Sequence, residues 1–393
     1  MRKEINWIVK SLALAVLVFA GGYGLRPAVV SAWEWPKSIA VATPQVGSSQ
    51  YANTLAWGSI LDQKAGVKVQ VIGMPGTVDR HKMVKSGKVL MAADWPEDAR
   101  LGLEAMGGYA SKEAGPFNMR IVWTSCISHW GFPVLSDSPI KSLKDLKGRR
   151  IAWYAGSPMF VVAVEALLHA LGLDKKDVTV VPVSDYRTDI LGIAERKFDT
   201  AYVSPNSGIT FELDATPGGI RWLPIPTAEE DPEFVKRWLS VNPVQVFGKC
   251  GLGVKSSIGV HMVIQPQFYV TKAETDPDLI YHLVKWLDEN YPLYKNANPT
   301  AQLLDIKTFK SKTVDSVFVP MSDGTVRYLK EKNLWSPENE KRQAKYTTLI
   351  KKYVDAFDEA VKATEKEKIK MGTAEWERLW ASYKEKFGLR GLP

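Results

Sequence analysis

Ser138–Leu173 reads SPIKSLKDLKGRRIAWYAGSPMFVVAVEALLHALGL, and its order of polar and apolar residues decides the fold class. A polar lead-in gives a short helix, and Arg150 to Tyr154 (RIAWY) then forms a strand. In the turn Ala155-Gly156-Ser157-Pro158, Ser157 takes the N-cap position and Pro158 the first helical position, where its missing N–H costs nothing. Apolar residues at helical spacing continue from Pro158 to Ala170 and stop at Gly172, a helix-ending residue. Strand Val178 to Val183, helix Asp185 to Glu195 and strand Thr200 to Val203 repeat the theme. This is a compact βαβαβ unit with parallel strands joined by crossover helices.

Working outward, the same alternation recurs upstream. Ser38 to Thr43 (SIAVAT) reads as a strand, Ser49 to Gln63 as a helix, Val67 to Ile72 as a strand, Val78 to Ser86 as a helix and Val89 to Ala93 as a strand. Met119 to Ser125 opens a longer extended stretch that continues through Phe132 to Leu135, where the chain changes domain. Downstream, the β-rich run HMVIQPQFYVT from His261 to Thr271 returns the chain to the first unit, and helix Pro277 to Asn290 with the segment to Leu334 completes it. The expected organisation is lobe I from 33–134 and 260–335, lobe II from 135–259, and a tail from 336–393. In the tail Tyr346, Leu349, Ile350, Tyr353, Val354, Phe357 and Val361 recur at helical spacing, and Trp376, Trp380, Tyr383 and Phe387 do so again. Two amphipathic helices follow from that pattern, either docked on the body over apolar surface or presenting a face to a partner.

Composition bounds the function. The 393 residues are 45% hydrophobic and 24% charged, enough for two α/β domains with proper cores. Arg2, Lys3 and Lys10 precede the apolar run SLALAVLVFAGGYGL, and Val30-Ser31-Ala32 follows. That is the pattern of a secretory signal cleaved after Ala32; Gly21, Gly22 and Gly24 interrupt a stretch already short for a span of ~20 residues. The net charge is +8, part of it in the leader, and lysines and arginines are spread among acids, which argues against nucleic acid as a partner. Cys126 and Cys250 could pair in an exported compartment or stay as buried thiols. The five histidines, His81, His129, His169, His261 and His282, never fall at metal-ligand spacing. No nucleophile-elbow, Walker or zinc-helix motif appears, so neither a metal nor a cofactor is expected, and a binding role is favoured over catalysis.

Open α/β sheets bind ligands beyond the carboxyl ends of their strands, where loops enter helices. Gln45-Val46-Gly47-Ser48-Ser49-Gln50-Tyr51 is such a turn: Gly47 permits close backbone approach, Ser48 or Ser49 can cap the helix, and the helix dipole favours a carboxylate. Met74-Pro75-Gly76-Thr77 is a second, with Thr77 as the expected cap, and Asp94-Trp95 ends the third strand. In the other lobe the corresponding turns carry Gly156 with Ser157, and Ser204 with Asn206. Distributed over two lobes, they predict one shared cleft.

At these turns the chain resembles the TAXI-type solute-binding subunits of TRAP transporters. The resemblance runs from about Ile39 to Leu334 through VGSSQY, GMPGTVDRHKMVKSGKV, SPIKSLKDLKGRRIAWYAGS, ALLHALGLDKKDVTVV, ERKFDTAYV and DGTVRYLKEKNLW. It implies a type II periplasmic-binding-protein fold: two α/β lobes joined by crossover hinge strands, here with a C-terminal helical extension beyond the resemblance. It also implies a periplasmic monomer that closes on a small organic acid such as glutamate, and two integral membrane TRAP permease subunits driven by an ion gradient. The same fold also serves ABC importers and periplasmic sensors, and an exported enzyme could use such a cleft. The sequence departs from the family pattern at both main turns, where serine and glutamine replace glycines in VGSSQY and Pro158-Met159 follows Ser157. Tyr51, Trp95, Trp123, Trp153, Tyr154 and Tyr202 lie in or beside the turns. These rings suggest a ligand with an apolar or aromatic body beside its carboxylate, for which Arg80, Arg100 and Arg187 are the candidate counter-charges.

Overall fold

The computed structural model describes residues 33–392; the expected signal peptide lies outside the described residues. From Trp35 onward the chain forms one body with two large hydrophobic cores. The first is built on a six-stranded sheet. Strands β1 (Ser38–Thr43), β2 (Lys68–Gly73) and β3 (Met91–Asp94) are parallel, and β4 (Met119–Trp130) follows. β5 (Phe132–Leu135), β6 (Arg150–Trp153), β7 (Thr179–Pro182) and β8 (Ile220–Leu223) belong to the second core, before β9 (Val246–Lys249) and β10 (His261–Lys272). The sheet runs β2-β1-β3-β10-β4, with β9 also paired to β10. A late strand inserted antiparallel between β3 and β4, with long strands passing into a second α/β lobe, is the type II periplasmic-binding-protein arrangement anticipated from the sequence.

β4 and β10 carry the connection. Each is twelve residues long, about 40 Å at the usual strand rise, and they pair antiparallel from Lys272↔Met119 in the first core to Val263↔Trp130 in the second. The register shifts between Gln267 and Phe268 and again between Tyr269 and Val270. Such bulges bend and twist a strand locally, here where β10 enters the first core at Phe268, Tyr269 and Val270.

Helices α1 (Ser49–Ala65), α2 (Thr77–Lys85) and α3 (Pro96–Leu103) leave the carboxyl ends of β1, β2 and β3. In the second lobe α4 (Pro158–Leu171) follows β6, α5 (Tyr186–Ala194) follows β7, and α6 (Gly208–Asp214) precedes β8. α4 ends as expected on Gly172, whose φ of +70° is a left-handed cap. The expected strand Thr200–Val203 is reduced to single bridges, Ile151↔Thr200 and Gly131↔Val203. Pro133 explains this: it has no N–H to extend a ladder, and its carbonyl instead accepts the Thr200 hydroxyl at 2.7 Å.

The tail forms helices Pro337–Glu367 and Ala374–Lys386, both docked on the first core. Trp376 and Trp380 stack at 5.9 Å and 4°, and Phe357 fits where a side chain on Gly115 would clash, 2.3 Å from its Cζ. Glu104, just beyond α3, ties the tail down: its carbonyl accepts Trp380 Nε1–H at 2.6 Å and its carboxylate pairs with Lys384 at 2.6 Å. Cys126 and Cys250 are both buried free thiols, and burial pushes Cys126 up to about 12. No helix among the described residues is long and apolar enough to cross a membrane.

Candidate functional site

Between the two cores lies a pocket of about 440 Å³, counting the solvent space at its mouth. Its walls are assembled from both lobes and from the crossing strands. Trp95, Trp130, Tyr154, Phe160 and Tyr186 provide rings; Gln45, Gln50 and Gln267 provide amides; serines at 48, 49, 128, 157, 204 and 207 provide hydroxyls. The rings support one another: Phe160 meets Trp130 edge-on at 5.4 Å, Tyr154 at 5.1 Å and Tyr186 at 5.6 Å. Trp130 stacks from behind on Tyr202 at 5.2 Å. Four of the lining rings, Trp130, Tyr154, Phe160 and Tyr186, thus form one contacting cluster, an apolar wall for a flat ligand.

Local capping chemistry places the helix starts against this space. Ser48 caps α1, accepting the N–H of Tyr51 at 3.3 Å, so the first-turn N–H groups of α1 open beside Gln45 and Gln50. Thr77 is the first helical residue of α2 rather than its cap, which is Gly76. Ser157 takes the N-cap position of α4 without making a cap bond. Both hydroxyls are used on each other instead, 2.8 Å apart across the cleft. Further bonds span the lobes, among them Tyr154 hydroxyl to Pro75 carbonyl at 3.0 Å, Ser49 hydroxyl to Asn206 carbonyl at 3.2 Å, and Gly208 N–H to Gly47 carbonyl at 3.2 Å. Gly47 has φ +92°, and a Cβ there would stand 2.8 Å from Ile209 Cγ1. The cleft is closed, and Gly47 lets it close.

Polar atoms at the wall are left over. Gln45 Oε1, Gln50 Nε2, Trp95 Nε1 and Gln267 Oε1 are buried without a hydrogen-bond partner among the described residues. Gln267 spends its amide N–H on Ser128 Oγ at 2.5 Å, and the same hydroxyl accepts Trp130 Nε1–H at 2.6 Å. Native interiors leave few such groups unpaired, so donors and acceptors gathered around one cavity describe slots for a ligand's own polar atoms. Among the described residues no charged side chain lines this wall, and no group of three or more His, Cys, Asp or Glu is placed to share a metal ion.

Behind Trp95 sits a buried ionisable cluster. His81 Nε2 lies 2.9 Å from Asp94 Oδ2, and Tyr109 donates to Asp98 at 2.7 Å. Burial raises Asp98 to about 6, helped by the charge of Asp94, and burial raises Glu97 to about 7. Arg80 is lowered by burial, against the pull of Asp98 and Asp94.

Residues 41–332 match the model of the NMT1-like family. The chain belongs to the NMT1-like family. No curated protein matches its sequence. Among solved structures it is similar to MatC from Rhodopseudomonas palustris with bound malate, at 11% identity and a TM-score of 0.48 over 80% of this chain and 100% of that one. It is also similar to the alkanesulfonate-binding protein SsuA from Xanthomonas axonopodis pv. citri bound to MOPS, at 14% identity and a TM-score of 0.40 over 80% and 85% of the two chains.

In this NMT1-like chain the residues singled out from sequence divide by location. Ser48, Ser49, Trp95, Tyr154, Ser157 and Ser204 line the cavity. Gly47, Gly76, Thr77, Gly156 and Asn206 lie at the lobe-to-lobe contacts: a Cβ on Gly76 would stand 3.1 Å from the Gly156 carbonyl, and Asn206 Oδ1 accepts the His129 N–H at 3.2 Å. Tyr51 is outside the cavity, its ring against Gly73. Asp94 is turned to His81 and to the Trp95 N–H. Trp123 is a core residue, donating to the Leu304 carbonyl at 3.2 Å and packed on Phe309. Trp153 lies under Lys175, away from the cavity. Of the three arginines, Arg187 pairs with Glu212 at the surface and Arg100 donates to the Val241 carbonyl; only Arg80 adjoins the wall, against Trp95. Sequence reasoning passed over Ser128, Trp130, Phe160, Tyr186, Ser207 and Gln267, along with Gln45 and Gln50 inside a turn it had quoted. The one available signal was Gln265-Pro266-Gln267, two amides in an otherwise apolar strand.

Proposed function

We propose that this chain is a periplasmic solute-binding protein that closes its two lobes on one small organic anion with a flat apolar or aromatic body. On this reading it delivers the ligand to the integral membrane subunits of a TRAP-type transporter. The observation that carries the reading is the interlobe pocket, in which a wall of five rings meets buried polar atoms that have no partner among the described residues. Rings favour a planar body, and the α1 start favours negative charge over positive. The unpaired Trp95 and Gln50 N–H groups add donors for an acid's oxygens. With no basic side chain on the wall, one negative charge suits this cavity better than two, so an aromatic monocarboxylate is favoured over glutamate or another dicarboxylate. Closure is the mechanism: ligand bound between the lobes adds contacts that only the closed state offers, and so shifts the population toward it.

The test is a thermal-shift screen of the protein produced from residue 33, with aromatic acids, aliphatic dicarboxylates, amino acids and uncharged aromatic solutes. Aromatic monocarboxylates should raise the melting temperature most; a ligand at about 100 times its Kd adds about 2.7 kcal/mol to stability. A response to uncharged solutes alone would remove the anion from this reading, and no response to any class would remove the binding role. Co-purification with a two-component membrane permease, rather than with an ATPase or a kinase, tests the delivery step.

A further inference from the structure

Among the described residues no charged side chain lines the cavity, yet one cation stands directly behind its wall. Arg80 is fully buried at the carboxyl ends of β2 and β3, where its Nε–H donates to the Ala93 carbonyl at 3.0 Å and its Nη1–H to the Met74 carbonyl at 2.7 Å. Its guanidinium carbon lies 4.9 Å from the centre of the Trp95 ring. Nη2 of Arg80 is buried and has no hydrogen-bond partner among the described residues, and the same holds for Nε1 of Trp95. Trp95 itself is 4% exposed and is held at its backbone N–H by Asp94 at 2.9 Å.

We infer that Trp95 and Arg80 work as a pair that selects a singly charged acid: Trp95 donates its indole N–H to the ligand's acid group, and Arg80 holds the indole from behind and lends it positive potential. The inference rests on the reading of the cavity as the ligand site. A cation against an aromatic face draws electron density from the ring and makes its N–H a stronger donor, as polarised hydrogen-bond chains do. The carbonyls of Ala93 and Met74 fix the guanidinium, so the indole plane it supports is fixed as well. Asp94 and Asp98 are the acids in electrostatic reach of Arg80; each already accepts a bond, from His81 and from Tyr109. Because the ring separates the guanidinium from the cavity, a bound anion feels a partial rather than a full counter-charge. One carboxylate is compensated and a second is not. Arg80 is thus a positioning residue acting through Trp95.

Calorimetric titration with matched probes tests this: phenylacetate against phenylacetamide, indole-3-acetate against indole-3-acetamide, and phenylmalonate as the dianion. The wild type should bind each acid about tenfold tighter than its amide, the scale of a hydrogen bond to a charged group, and should bind phenylmalonate more weakly than phenylacetate. Trp95→Phe keeps a ring and removes the donor; it should bring the acid-to-amide ratio to about one while changing amide affinity less than about threefold. Arg80→Met should do the same, Arg80→Lys should retain part of the ratio, and the double variant should lose no more than either single one. If Arg80→Met does not fold, Trp95→Phe carries the test alone. A ratio unchanged in Trp95→Phe overturns the inference, as does a wild type that takes acid and amide equally, which leaves the cleft as a ligand site. A wild type that takes none of the probes overturns both the inference and the aromatic-acid reading.

Discussion

The hydroxyls of Thr77 and Ser157 stand 2.8 Å apart, each at the start of a helix belonging to a different lobe. Neither serves its own helix as a side-chain cap. Their bond exists only when the cleft is shut, so it contributes to closure rather than to either lobe. Replacing both, as Thr77→Val with Ser157→Ala, should therefore leave the melting temperature of the unliganded protein nearly unchanged and weaken ligand binding by about three- to tenfold, the scale of one neutral hydrogen bond. Small-angle scattering should show a larger radius of gyration in the unliganded variant.

Gly47 is a second closure residue, for a steric reason. Its φ of +92° and the 2.8 Å approach of Ile209 to a Cβ mean that Gly47→Ala adds both backbone strain of about 1–2 kcal/mol and a clash present only in the closed state. Affinity should fall about tenfold or more. Adding Ile209→Ala should recover part of that loss by removing the clash and not the strain, which titration of the single and double variants will resolve.

Trp123 and Trp130 lie on the same strand and should respond oppositely. Trp130 lines the cavity, whereas Trp123 packs in the first core against Phe309. Trp123→Ala should cost about 3–5 kcal/mol of stability while a protein that still folds keeps its ligand affinity. Trp130→Ala should weaken binding of any aromatic ligand strongly; chemical denaturation paired with titration separates the two effects.

Glu97 sets an expected pH dependence of stability. It is fully buried, bonded to Gln265, and burial raises it from 4.5 to about 7. The folded state therefore holds this proton more tightly than the unfolded chain does. Its stabilising contribution is complete below about pH 4.5 and is lost as pH rises through about 7, a change on the order of 3 kcal/mol. Glu97→Gln, which is neutral at every pH, should flatten that slope. Urea denaturation midpoints at pH 5 and pH 7.5 for both proteins will check it.

These residues also mark what could be read from the chain. Ser48, Trp95, Tyr154, Ser157 and Ser204 sit in turns where a strand meets a helix, and turn chemistry is local, so their neighbourhood is visible in a few consecutive letters. Trp123 and Trp130 could not be told apart that way. Both are buried, on one strand, and which of them meets the cleft depends on where β4 passes from one core to the other. Phe160 and Tyr186 were hidden for a similar reason: each lies in a helix first turn whose ring direction is fixed by packing on Trp130, a contact between distant parts of the chain. The strand His261–Lys272 was legible because a strand-forming run followed an irregular glycine-rich segment. The shortfall at Thr200–Val203 was not, because it arises from Pro133 on another segment.

The position of β10 in the sheet also orders the steps by which the protein is made. β3 and β4 are separated by a strand that begins only at His261, more than a hundred residues after Trp130 ends β4. Until that strand is synthesised and inserted, the first sheet is split down its middle, with two unpaired edges and its core unsealed. The segment between β4 and β10 closes over shorter loops and needs only the first residues of β10, Met262 and Val263, to complete its core. The second lobe is therefore free to fold early, while the first waits on a late, long-range pairing. Premature strand pairing at the open edges is the characteristic hazard of that interval, and refolding from denaturant should be slow in the probes of the first core and fast in those of the second.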